Sequence, residues 1–187
     1  MRLKTPRVHP VPVEAWNDAQ REALGKAQMG GRVLNIFKTL ANHTGLAKRW
    51  MVFANHIMGK SEITLRDREI VILRIGWLCK SGYEWGQHVV IGKECGMTDE
   101  EMEFLKEGAD AAHWKENEAL LIKATDELHG DAFISDETWQ GLCSHYNTQQ
   151  IMDIVFTAGQ YNLVSMALNT LGVQLDEGMT LDPDLVR

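Results

Sequence analysis

Apolar residues recur along most of the chain at three- and four-residue intervals. In the C-terminal third they fall at Ile151, Ile154, Val155, Ala158, Leu163, Met166, Ala167 and Leu171, the stripe of an amphipathic helix with one buried face, and Thr148 stands where its cap belongs. Upstream, Gly96-Met97 followed by Thr98-Asp99-Glu100-Glu101 reads as one helix ending and a capping box opening the next, with Thr98 as N-cap and Glu101 at the N3 position. Ser135-Asp136-Glu137 repeats the device: a hydroxyl cap, then acids facing the positive end of the helix dipole. The centre differs. Leu65 to Glu69 leads into Ile70 to Cys79, which is apolar on nearly every side despite Arg74 and Gly76. Such a helix is buried in a core or at a subunit interface. Ser81-Gly82 breaks it, and a second helix runs from Tyr83 to about Glu94, so the pair predicts a buried αα-hairpin.

Proline sets the remaining boundaries. Pro6, Pro10 and Pro12 precede Glu14, and no other follows until Pro183. Residues 1–13 are therefore expected to form an extended arm that frays or packs along a neighbour. Residues 14–187 are expected to form one all-α domain, with a first helix over about 14–28 closed by Gly30-Gly31. The acidic stretch from Asp176 to Asp184 reads as a solvated end.

Composition narrows the function. A chain of 187 residues that is 44% hydrophobic can bury a sizeable core. No run reaches the ~18–20 apolar residues of a membrane span, and the N-terminus has no apolar signal region, so a soluble cytoplasmic protein is expected. A net charge of −7, with Lys48-Arg49 as the densest basic stretch, argues against a nucleic-acid partner. Cys79, Cys95 and Cys143 form neither CxxC nor a zinc-ligand spacing, and reduced, packed thiols are expected.

Candidate chemistry lies where ionisable groups sit on apolar faces. Glu69 has Ile72, Leu73 and Gly76 as its helical neighbours. A carboxylate there is either paired, with Arg66 one turn earlier as the nearest cation, or raised in pKa by desolvation. Glu84 and His88 share a helix face at i, i+4 and sit among Trp85, Val89, Val90 and Ile91. A buried histidine beside a carboxylate can move protons near neutral pH. Two other readings use the same residues. Glu84, His88 and Glu69, joined by His56, could ligate a metal ion, or all of them could be structural parts of an oligomeric helical scaffold.

These residues carry a resemblance. Glu69 and His88 nineteen positions apart, Asn35-Ile36-Phe37, Arg68-Glu69, Tyr83-Glu84-Trp85-Gly86-Gln87-His88, Gly96-Met97-Thr98-Asp99-Glu100-Glu101, Ser135-Asp136-Glu137-Thr138-Trp139 and Gly159-Gln160-Tyr161-Asn162 are similar to the carboxymuconolactone decarboxylase family and its alkylhydroperoxidase D-like relatives. The resemblance runs over about residues 5–177 and implies an alkylhydroperoxidase D-like helical bundle. In the redox branch a CxxC lies between the glutamate and the histidine. Its two positions fall here on Ser81 and Glu84, so dithiol peroxide chemistry of that type lacks its thiols. Cys79, two residues earlier, has no partner three residues on.

The resemblance implies a cofactor-free, metal-free acid–base enzyme, a decarboxylase or related lyase acting on a small carboxylated lactone or ring in aromatic-compound catabolism. It also implies a homo-oligomer, a trimer or hexamer. In that reading His88 donates or shuttles the proton, Glu84 orients it, Glu69 is a second acid or base or an anchor, and Tyr83 bonds a substrate oxygen. Arg74 would hold the substrate's carboxylate. Trp77, Trp85 and Tyr161 would wall the pocket.

Overall fold

A computed structural model of the protein describes residues 1–28, 31–111 and 113–186, and among these the regular structure is entirely helical. The α-helices are α1 Asp18–Leu24, α2 Asn35–Leu40, α3 Thr44–Gly59, α4 Leu65–Leu78, α5 Gly82–Glu94, α6 Asp99–Glu107, α7 Glu116–Asp131, α8 Asp136–His145 and α9 Thr148–Leu171. No helix among the described residues is long and apolar enough to cross a membrane.

The central hairpin is α4 and α5. Every residue from Asp67 to Gly76 is buried, because α4 packs against α5, α7 and α9 at once and has no solvent face left. Arg66, Asp67, Arg68, Glu69 and Arg74 must therefore each find a partner inside the protein. The chain turns at Lys80, whose φ of 53° is left-handed, and α5 starts at Gly82. A Cβ there would press on Leu181 Cδ1, the end of a side chain, so the C-terminal segment crosses close over this point.

Local signals hold with small shifts. Thr98 and Glu101 form the capping box of α6, and Ser135 caps α8 by accepting from the Thr138 N–H. The cap of α9 is Asn147, one residue before Thr148, and it forms a capping box with Gln150. The first helix is shorter than the apolar pattern suggests: a 3-10 turn at Val13–Ala15 precedes α1. Asn17 accepts from the Gln20 N–H and so starts the helix later. Gly30, one of the two residues expected to close that helix, lies outside the described residues.

Two expectations are corrected. Leu163 and Met166, placed on the buried stripe of α9, are exposed; the buried face is Ile151, Ile154, Ala158, Tyr161, Ser165 and Leu168. The helix is apolar nearly all round, so more than one face fits the spacing. The acidic C-terminal stretch is not a solvated end. Asp176 accepts from the Asn35 N–H at 2.8 Å, the Tyr83 hydroxyl at 2.6 Å and the Gln87 amide at 2.8 Å, while Asp182 accepts from Trp85 Nε1. The segment after α9 is a strap across α5. The extended arm lies beside it, with the Arg7 and Val8 N–H groups both donating to Leu171 O and the Met1 ammonium to Leu185 O.

Candidate active site

Four buried ionisable groups form a continuous line between α4 and α5. Arg68 donates through Nη1 to Met58 O at 2.6 Å and through Nε to Glu69 Oε1 at 2.9 Å. Glu69 Oε2 lies 2.6 Å from His88 Nδ1, and His88 Nε2 lies 3.0 Å from Glu84 Oε1. Glu69 is wholly buried and the other three nearly so. The line alternates in charge: arginine, carboxylate, imidazole, carboxylate.

That alternation fixes the protonation states. Burial alone would pull the imidazolium pKa down, but the charge and hydrogen bond of Glu69, reinforced by Glu84, push it up to about 10. Burial would likewise raise Glu69, and His88 with Arg68 outweighs it and holds Glu69 below the ordinary carboxylate range. At neutral pH the imidazole is therefore a cation clamped between two anions. Glu69 and Glu84 approach opposite ring nitrogens, so they do not converge on a point where a metal ion could sit. Among the described residues no three metal-ligating side chains do so. His56, the fourth ligand considered, bonds Asp153 at 2.9 Å instead.

The line opens at its Glu84 end on a cavity of about 140 Å³. One face of α5 supplies Tyr83, Glu84, Gln87, His88 and Ile91, and one face of α3 supplies Trp50, Met51, Ala54, Asn55 and Met58. Leu34, Ile36 and Phe37 close one side, and Gln160, Tyr161 and Val164 of α9 close the other. Tyr161 sets its ring edge-on to the His88 imidazole at 5.0 Å and points its hydroxyl at Met58 Sδ, 2.9 Å away. Glu69 and Arg68 stand behind the wall.

Of the residues singled out from sequence, Glu69, Glu84, His88, Tyr83 and Tyr161 come together here. Tyr83 is at the wall, but its hydroxyl donates to Asp176 and accepts from the Ile36 N–H. Burial, then Asp176, raises its pKa, keeping it a donor. Arg74 is not at the cavity. It grips Asp126 with Nε and Nη2 and spends Nη1 on Leu105 O and Lys106 O, so it fastens α6 and α7 to α4. Trp77 and Trp85 also lie elsewhere, packed ring against ring at 5.2 Å with Lys106 over both. The partner of Glu69 is Arg68, not Arg66, which instead bridges Glu118 and Glu101. Cys79 is buried against Asn162 and 3.8 Å from His129 Nδ1, and burial raises its pKa away from the reactive thiolate. Sequence reading passed over Gln160, Trp50 and Asn55. The usable signal was the large polar residue Gln160 beside Tyr161 in the middle of a long, mostly apolar helix.

The helical hairpin thus frames a buried carboxylate–histidine–carboxylate line at an apolar cavity. The Carboxymuconolactone decarboxylase family model matches residues 44–127, the span from α3 to α7 that carries the line. No curated protein is similar enough to count as a match. Among solved structures, a peroxidase-related protein with an alkylhydroperoxidase AhpD core from Ralstonia eutropha JMP134 superposes with a TM-score of 0.79 at 17% identity, covering 91% of this chain and 92% of that one. A peroxidase-related protein from Silicibacter sp. TM1040 gives 0.75 at 18% identity, over 94% and 92%. A point variant of the debrominase Bmp8, in complex with 2,3,4-tribromopyrrole, gives 0.76 at 13% identity, over 93% and 94%. At these identities the likeness is one of fold.

Proposed function

We propose that the protein is an acid–base enzyme that moves a proton on a small cyclic substrate bound in the cavity beside Glu84 and His88. One observation carries this reading: a fully paired line of buried charges ends, at Glu84, on an apolar cavity large enough for a single ring. Arg68 and the His88 imidazolium already hold their protons, and Glu69 is shared between them. The vacant acceptor is Glu84, which we therefore make the base. His88 bonds and steadies it and stabilises its charge, and Glu69 with Arg68 positions His88. Apolar walls raise the worth of each of these interactions by excluding water.

The family supports a lyase or isomerase step on a lactone-like ring, and the Bmp8 complex is a case of this fold holding a small ring. A carboxylated substrate is less well supported. None of the cavity-lining residues is lysine or arginine, and Arg74 and Arg68 are spent elsewhere. Peroxide reduction of the dithiol type would need thiols at Ser81 and Glu84. Self-assembly, the partner expected from the resemblance, is supported by an exposed apolar row on α9 comprising Met152, Phe156, Leu163 and Met166.

The test is exchange of ring protons next to a carbonyl, followed by NMR in deuterated water with a β,γ-unsaturated lactone and a cyclic ketone as probes. The wild type is expected to speed exchange, and Glu84→Gln, which keeps the bond to His88, to lose about 10²–10⁴-fold. Exchange no faster than buffer, or unchanged in Glu84→Gln, overturns the reading.

A further inference from the structure

Gln160 is the anomaly of the cavity wall. The residue is only 4% exposed and lines the cavity, yet among the described residues no side-chain hydrogen bond engages its amide. Other polar side chains at the site are committed: Glu69, Glu84 and His88 to one another, Tyr83 and Gln87 to Asp176. Trp50 Nε1, in the opposite wall, is also buried without a partner among the described residues. A nearly buried amide whose remaining accessibility is toward the cavity is placed to pair with something that enters.

The geometry points to Gln160 as the residue that selects the substrate, donating to the oxygen of an uncharged ring ketone or lactone while Glu84 attends to a neighbouring carbon–hydrogen bond. Charge and size agree. A carboxylate entering would meet the Glu84 anion with no arginine or lysine to hold it, whereas a carbonyl needs only a neutral donor. The volume of about 140 Å³ compares with the ~150 Å³ cavity that takes up benzene. The inference rests on the functional reading only in taking this cavity as the substrate site.

The experiment measures binding, not turnover, of three rings of matched size: cyclohexanone, methylenecyclohexane and cyclohexanecarboxylate. Wild type is expected to bind cyclohexanone about tenfold tighter than methylenecyclohexane and to bind the carboxylate most weakly. In Gln160→Met the tenfold preference is expected to fall close to one. Should that variant fail to fold, the wild-type side-chain amide signals of Gln160 in nitrogen-15 NMR decide, moving with cyclohexanone and staying still with methylenecyclohexane. Equal binding of the two in wild type, the same preference in Gln160→Met, unmoved amide signals, or tightest binding of the carboxylate each overturn the proposal. Repeating the titration in Glu84→Gln separates the two ideas. A Gln160-dependent preference without proton exchange sinks the acid–base reading alone, and exchange without that preference sinks this one.

Discussion

His88 holds its proton between two carboxylates, and that arrangement makes the protein's stability depend on pH from both sides. The imidazolium pKa stands above its ordinary 6.5, so its contribution to folding is complete below that value and is lost as pH climbs through about 10. Glu69 stands below its ordinary 4.5, so its contribution is complete above that value and is lost as pH falls beneath it. Both are fully present between about pH 4.5 and 6.5. Glu69→Gln is expected to lower the His88 pKa and flatten the alkaline loss of stability. It should cost about 3–5 kcal/mol by leaving buried Arg68 without its carboxylate; melts from pH 5 to 10 and NMR titration of the imidazole check this. The Glu84–His88 pair was legible in the sequence from its i, i+4 spacing on a helix with apolar neighbours, whereas the Glu69–His88 pair was implied only by the family resemblance. The identity of the arginine was not legible. A helix buried on all sides gives no face by which to prefer Arg66 over Arg68, and only the position of Met58 O settles it.

Among the elements, α4 is the one through which the site and the scaffold meet. Arg74 closes the C-terminus of α6 by donating to Leu105 O and Lys106 O, and it pairs with Asp126 of α7. Sequence alone offered a cation on an apolar helix and a substrate expected to need one; a third use, holding the end of another helix, has no local signature. Arg74→Met is expected to lower stability by about 3–5 kcal/mol, the cost of breaking a buried pair, while leaving ring binding in the cavity within twofold at temperatures where the variant is folded. Denaturant titration together with ligand titration measures both, and a large loss of affinity with intact folding would contradict the scaffold role. The helix ends were legible because caps are written in adjacent residues. The orientation of α9 was not, because its apolar residues surround it, leaving Gln160 and Tyr161 as the better guides to its inner face.

For the whole molecule, the all-helical architecture and the central hairpin could be read from periodicity and proline placement, and the closure of the chain on itself could not. The arm and the strap meet beside α5 through bonds such as Met1 N to Leu185 O, which join residues too far apart for any local pattern. Among the large apolar residues left exposed, Met152, Phe156, Leu163 and Met166 form a row on α9, with Leu46 and Val52 exposed on α3. Apolar surface aligned along one helix is the kind that association removes from water. Sedimentation is expected to show a homo-oligomer that Phe156→Lys shifts toward the monomer without unfolding it. A wild type that sediments as a monomer at every concentration would count against assembly through this face.

The line from Arg68 to Glu84 also has a direction. At its inner end stands a guanidinium that does not give up its proton, bonded to a carbonyl that cannot take one, so the line is a cul-de-sac and not a wire to solvent. A proton lifted from a substrate onto Glu84 can therefore leave only through the cavity mouth, by the route that substrate and water take in. Solvent deuterium reaches the base from the same side, so the cavity that admits the ring also sets how fast its hydrogens are traded.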